Sequence, residues 1–172
     1  AQACPSLFDR TITINGVSKS YAMTGWRIGY CGGPSDVIGG MKKVQSQSTS
    51  NPSSISQAAA IAALDGSKDE IYSMVEQYKL RHDYLCTALN DIDGFKTTPG
   101  TGAFYLFPDV TDIIEKKGFS DDVELSQYLI EKANVAVVPG SAFGSPGYIR
   151  LSYATSLELI KDAVNRISNS LD

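Results

Sequence analysis

Apolar and polar residues alternate along this chain in two rhythms, one of period two and one of helical period. Residues 11–17, TITINGV, alternate β-branched with small or polar residues and run into Asn15-Gly16, which predicts a strand ending in a turn. Residues 26–31, WRIGYC, predict a second strand, stopped by Gly32-Gly33-Pro34. From Ser35 the spacing becomes helical, with Val37, Ile38, Met41 and Val44 on one face and Gly39-Gly40 weakening the segment. Residues 46–50 are polar and predict a loop. Asn51-Pro52 then offers an N-cap and a first-turn proline for a helix through AAAIAAL, which ends at Gly66.

Ser67-Lys-Asp-Glu70 has the capping-box pattern and opens the longest periodic segment. Ile71, Met74, Val75, Tyr78, His82, Leu85, Leu89 and Ile92 recur at threes and fours, so one stripe faces a core, and Gly94 closes the helix. Beyond it the period returns to two. GAFYLFPDV, VAVVPG and YIRLSYA predict strands, with a helix capped at Asp121-Asp-Val-Glu124 carrying Leu125, Tyr128, Leu129 and Ile130. Thr155-Ser-Leu-Glu158 opens a last helix through Ile167. From about residue 94 the order is therefore β-α-β-β-α with its own core, and the fold class is α/β.

Composition narrows the class further. The 172 residues suffice for one domain, or for a domain plus part of another. With 42% hydrophobic and 20% charged residues the chain can build a core, which excludes global disorder. The net charge of −4 gives no electrostatic reason to expect nucleic acid or an anionic membrane surface as partner. No apolar run approaches the roughly 20 residues of a membrane span, and the first residues do not read as a signal peptide. Cys4, Cys31 and Cys86 are far apart, without metal-ligand spacing and odd in number, so neither a metal site nor a disulfide framework is expected. A reducing, cytoplasmic setting is. The opening AQACPSLFDR, with neither a Met nor a helix or strand of its own before Pro5, predicts a chain cut from a longer one.

Three cations are the chemical candidates. Lys19 lies just beyond the first strand, where ligand sites of α/β sheets lie, and its sequence neighbours Ser18, Ser20, Tyr21 and Ala22 are not acidic. An amine so placed suits Schiff-base chemistry; taken singly it also fits a solvated loop lysine. If the two predicted strands fold back on each other, Arg27 returns towards Lys19, and its fork binds a phosphate or carboxylate. Gly25 and Gly29 would let a ligand or backbone approach closely, although an edge-strand arginine in solvent fits the pattern too. In Tyr148-Ile-Arg-Leu-Ser-Tyr153, alternation puts Arg150 on the face opposite Ile149, Leu151 and Tyr153. A mid-strand arginine needs water or an anion, supplied by a ligand carboxylate or by an acidic side chain of the fold.

Other motifs are weaker. His82, the single histidine, lies on the apolar stripe and is expected to be packed. Gly100-Thr-Gly102 lacks the third glycine of a dinucleotide fingerprint, and Pro139-Gly140-Ser-Ala-Phe-Gly144 lacks the end of a phosphate-binding P-loop. No histidine is placed to support a hydrolytic triad. Asp121-Asp122 and Glu115-Lys116-Lys117 read as solvated helix ends.

Taken whole, SKSYAMTGWRIGY resembles the lysine segment of the fold-type I, pyridoxal-phosphate-dependent aminotransferases (class I/II), and most of all the bacterial-type aspartate aminotransferases. The pattern is Ser-Lys, a short loop, then Gly-x-Arg-x-Gly, here Ser18-Lys19 and Gly25-Trp26-Arg27-Ile28-Gly29. GAFY at 102–105, NVAVVPGSAFG at 134–144 and YIRLSYA at 148–154 follow in the family's order. The resemblance implies pyridoxal 5′-phosphate as cofactor. It implies Lys19 as its Schiff-base lysine and proton mover, Arg27 as the phosphate holder, and Arg150 as the bidentate holder of the substrate α-carboxylate. Gly16 stands where some relatives carry a serine that touches the phosphate.

The same resemblance implies that this is the C-terminal part of such an enzyme. The family's Gly/Ser-Thr phosphate loop, ring-stacking aromatic residue, Asn, and the Asp and Tyr at the pyridine ring all precede the lysine strand. Residues 1–66 would complete the large domain, 67–92 form a long interdomain helix, and 93–172 the small α/β domain. The implied reaction is amino-group transfer between an amino acid, aspartate first, and a 2-oxo acid such as 2-oxoglutarate, in a cytoplasmic homodimer without nucleic acid or membrane partners. The alternatives are an aromatic aminotransferase or a carbon–sulfur lyase using the same cofactor. In a different class stands a non-catalytic folded fragment that self-associates through a bare strand edge.

Overall fold

Asn15-Gly16 does end a strand. β1 (Thr13–Gly16) pairs antiparallel with β2 (Gly29–Gly32), from Thr13 opposite Gly32 to Gly16 opposite Gly29. The computed structural model describes residues 2–172. It divides into two units, Ala1–Tyr72 and Ser73–Asp172.

In the first unit β2 starts later than the alternation of WRIGYC predicts. Thr24–Trp26 is a 3-10 turn and Arg27 adopts a left-handed backbone (φ 50°), so regular pairing begins only at Gly29. Helix α1 (Ser35–Ser48) runs through part of the polar stretch read as a loop. The hydroxyls of Ser46 and Ser48 donate to the carbonyls of Lys43 and Val44, so these serines bond within their own helix instead of breaking it. Helix α2 (Ser54–Asp65) begins two residues later than the proline signal predicts, with Ser53 at its N-cap. Pro52 lies outside the helix, and its carbonyl accepts from the side-chain amides of Asn51 and Gln57. Val17, Ser56 and Ala60 are buried in this unit, whereas Ile14, Val44 and Ile55 stand exposed.

Helix α3 (Asp69–Asn90) continues across the boundary into the second unit. The Ser67 hydroxyl accepts the Asp69 N–H at 3.1 Å at its start, and Leu85, Cys86 and Leu89 are its buried stripe. Gly94 takes a positive φ of 90° where the chain turns out of the helix.

The three predicted strands of this unit form one antiparallel sheet, each shorter than its apolar run. β3 is Tyr105–Leu106, β4 is Val138–Pro139 and β5 is Ile149–Ser152, in the order β3-β5-β4. Ala103 is left-handed (φ 63°) on one side of β3, and Pro108 on the other has no N–H to donate, so GAFYLFPDV cannot continue as a strand. Between β3 and β4 lie α4 (Thr111–Lys117), a helix additional to the predicted order, and α5 (Asp122–Tyr128). α5 runs on as a π turn over Leu129–Ala133 and stops at Asn134, left-handed at φ 52°. Asp121 caps α5, its Oδ1 accepting the N–H groups of Val123 and Glu124 at 2.9 Å each. Helix α6 (Leu157–Leu171) extends beyond Ile167, because Leu171 continues the buried stripe of Ile160, Val164 and Ile167.

These stripes converge on one core with the inner face of the sheet. Leu89, Leu125, Leu129, Ile149 and Ile167 are fully buried there, each contributing about 1.5–3 kcal/mol by burial. β5 is buried on alternate residues, with Ile149, Leu151 and Tyr153 inward, as the alternation predicts. The turn after β4 is as tight as the core. A Cβ on Gly140 would collide with the Ser145 carbonyl oxygen and lie 2.7 Å from both Cβ and O of Tyr148. Two of these three atoms are backbone, so Gly140→Ala is expected to destabilise the second unit by about 2–3 kcal/mol, read from urea unfolding curves.

Candidate functional site

Lys19 and Arg27 lie on one connection, the segment between β1 and β2 whose base is closed by the Gly16–Gly29 pair. Buried Val17 anchors its first turn. Tyr21 N–H donates to the Val17 carbonyl at 3.3 Å, and Ala22 N–H to the Lys19 carbonyl at 3.1 Å, with Ala22 left-handed at φ 52°. The backbone of Lys19 is thereby fixed while its side chain is exposed. Lys68, which lies between α2 and α3, reaches this turn and donates to the Tyr21 hydroxyl at 3.0 Å, a bond that holds the Lys68 amine above its ordinary value.

Arg27 is exposed, and its Nη1 donates to the Thr24 carbonyl at 3.0 Å, bracing the side chain across the 3-10 turn. A guanidinium fork of this kind has the geometry to bind a phosphate or carboxylate. Its backbone is the more telling feature. A non-glycine residue in the left-handed region costs about 1 kcal/mol, which persists only where the surroundings or a function of the side chain demand it. Arg27→Gly is therefore expected to leave the first unit as stable or up to about 1 kcal/mol more stable, while removing anion affinity. Thermal unfolding and a phosphate titration followed by NMR together check this; a destabilised variant sinks the strain argument.

Arg150 belongs to the second unit. It lies mid-strand on β5, opposite Val138 of β4, and half-buried. No carboxylate pairs with it among the described residues. Its guanidinium instead lies between two aromatic faces, 4.3 Å from the Tyr105 ring centroid and 4.4 Å from that of Phe143. Cation–π contacts of this kind hold the plane of the guanidinium and leave its N–H edge open to a carboxylate. The sequence alone does not reveal this holder, since a mid-strand arginine there called for water or for an anion from a ligand or an acidic side chain. Tyr105 is one position after Phe104 in GAFY and Phe143 sits in PGSAFG, so only strand pairing brings them to Arg150.

His82 is packed, as its place on the stripe predicts. Its ring meets Tyr153 edge-on at 5.7 Å, Nδ1 lies 2.9 Å from Asp83, and Nε2 accepts the Gly100 N–H at 3.1 Å. No group of His, Cys, Asp or Glu able to hold a metal occurs among the described residues, and no helix there is long and apolar enough to cross a membrane.

The first unit thus carries one amine and one guanidinium on a fixed connection, and the second unit carries one ring-held guanidinium on a strand. The sequence profile of aminotransferase class I and II matches residues 3–167, and the chain belongs to that family, with the mixed α/β fold of the fold-type I aminotransferases. Among individual relatives it is 51% identical over 175 residues to the aspartate/prephenate aminotransferase of Nitrosomonas europaea, covering 98% of this chain and 44% of that protein. It is 49% identical over 177 residues to an aspartate aminotransferase of Rhizobium meliloti, covering 100% of this chain and 43% of that one. A crystal structure of the aspartate aminotransferase from Rhizobium meliloti superposes with a TM-score of 0.92 at 46% identity, over 100% of this chain and 44% of that one. The aromatic aminotransferase of Pyrococcus horikoshii gives a TM-score of 0.85 at 39% identity, over 94% of this chain and 43% of that one. The chain therefore spans less than half the length of these relatives.

Proposed function

We propose that this chain is the lysine-bearing part of a pyridoxal-phosphate-dependent aminotransferase that moves an amino group between aspartate and a 2-oxo acid such as 2-oxoglutarate. The observation that carries the reading is the pairing of Lys19 and Arg27 on the one β1–β2 connection. Those two groups fit the cofactor by chemistry: an amine for its aldehyde and a guanidinium fork for its phosphate. When bound, the cofactor supplies the electron sink for reaction at the substrate α-carbon. Lys19 Nζ takes the proton from that carbon and later returns it. Arg27 fixes the phosphate end, so that the amine and the reacting carbon keep one geometry. Arg150 holds the α-carboxylate through its open N–H edge and so selects which bond at the α-carbon is broken. The names of the relatives favour aspartate as amino donor, and we propose a cytoplasmic homodimer as the working form.

By itself the 172-residue chain is read as non-catalytic. Lys19 and Arg27 are both exposed, so a cofactor held by them alone remains in water, where each contact is weak. Incubation with pyridoxal phosphate, borohydride reduction and peptide mass mapping test the assignment. The expected adduct sits on Lys19 and is lost in the Lys19→Ala variant. Label spread evenly over the other lysines would overturn the assignment.

A further inference from the structure

We propose that Asp122 is a positioning residue for Arg150, acting through the turn 140–147; the inference rests on the reading of Arg150 as the carboxylate holder. Asp122 is only 1% exposed although it carries a carboxylate, and no cation pairs with it among the described residues. Its oxygens are spent on one turn. Oδ2 accepts the Ser141 N–H at 2.8 Å, and Oδ1 accepts the Gly147 N–H at 3.3 Å. These two donors stand near opposite ends of the segment that links β4 to β5, so one carboxylate ties both ends together.

Inside the tie the turn is braced by its own backbone. Ser145 N–H donates to the Gly140 carbonyl and Gly144 N–H to that of Ser141, each at 3.0 Å. What the braced turn presents is Phe143, the ring that forms one wall of the Arg150 slot at 4.4 Å. Phe143 is half-exposed and has little core packing to hold it; its other aromatic neighbour is Phe107, edge-on at 6.1 Å. The position of the ring therefore depends on the turn, and the turn depends on Asp122. The adjacent Asp121 makes a natural control, because its carboxylate caps α5 and touches neither turn donor.

NMR of the 172-residue chain tests this through the Arg150 side-chain resonances, which two facing rings displace upfield, and through their response to added succinate. In Asp122→Asn the resonances are expected to move towards their unstacked positions, and the succinate affinity to fall about tenfold. Phe143→Leu should reproduce both effects, and Asp121→Asn neither. Unchanged Arg150 resonances in a folded Asp122→Asn chain overturn the proposal. If that variant does not fold, Phe143→Leu decides, because an Arg150 indifferent to loss of the ring has no link to the turn. Arg150 resonances that depend on Asp122 but ignore succinate in the wild-type chain would sink the carboxylate reading and leave the positioning role standing.

Discussion

Under the proposed function, Lys19→Ala is expected to lower the transamination rate by roughly ten-thousand-fold or more, since one substitution would remove both the proposed attachment amine and the proposed proton mover. The fold should not suffer. Lys19 is exposed, and the hydrogen bonds that shape its turn come from its backbone carbonyl and from Val17 and Tyr21. Lys19→Arg separates charge from nucleophilicity: it keeps the cation but offers no amine, and should be as inactive as the alanine variant. Single-turnover kinetics with aspartate, together with far-UV circular dichroism, make the check. A loss smaller than about tenfold in either variant would mean that another group moves the proton.

The second large effect falls on stability. Asp122→Ala is expected to destabilise the second unit by about 3 kcal/mol near neutral pH, because the Ser141 and Gly147 N–H groups lose their acceptor in a buried place. The effect has a pH signature. Burial pushes the Asp122 carboxyl up, but the hydrogen bonds from Ser141 and Gly147 outweigh it and hold the group below its ordinary value of 3.8. A carboxyl depressed in the folded state stabilises above its unfolded value, and that contribution fades as pH falls through the folded value. Urea unfolding of both proteins should therefore show a gap that is full at neutral pH and narrows in acid, below the ordinary value. A gap constant with pH would show that the ionised carboxylate is not what holds the turn.

Much of the architecture could be read from spacing alone. The stripes of α3 and α6 are long, regular and apolar, and both become core faces. The two strands of the β1–β2 hairpin could be placed from the alternation running into Asn15-Gly16 and from the apolar run stopped at Gly32-Gly33-Pro34, while their pairing was only one way the chain could fold. What escaped the sequence was decided by contacts distant along the chain. The strands β3 and β4 shrink to two residues each, because left-handed Ala103 and the prolines at 108 and 139 interrupt pairing that hydrophobicity alone would extend. Asp122 was read as a solvated helix end, yet it is buried. A clue was present: two adjacent aspartates cannot both cap one helix, and the second is followed by the apolar Val123 and Leu125. For the candidate site, Lys19 and Arg27 could be grouped from the string that carries them. The aromatic slot around Arg150 could not, since it forms only when Tyr105 and Phe143 are brought together from either side of β5.

That slot bears on the rhythm of a transfer reaction. An arginine kept in an internal ion pair must break that pair for each ligand and remake it on release, so arrival and departure meet different obstacles. Arg150 is held by ring faces, and in the proposed function an incoming carboxylate would meet no carboxylate partner to displace among the described residues. In the proposed reaction an amino acid enters, its oxo acid leaves, and a second oxo acid follows through the same place. A guanidinium without a resident rival anion treats every one of those exchanges alike, which suits a cycle that must run in both directions.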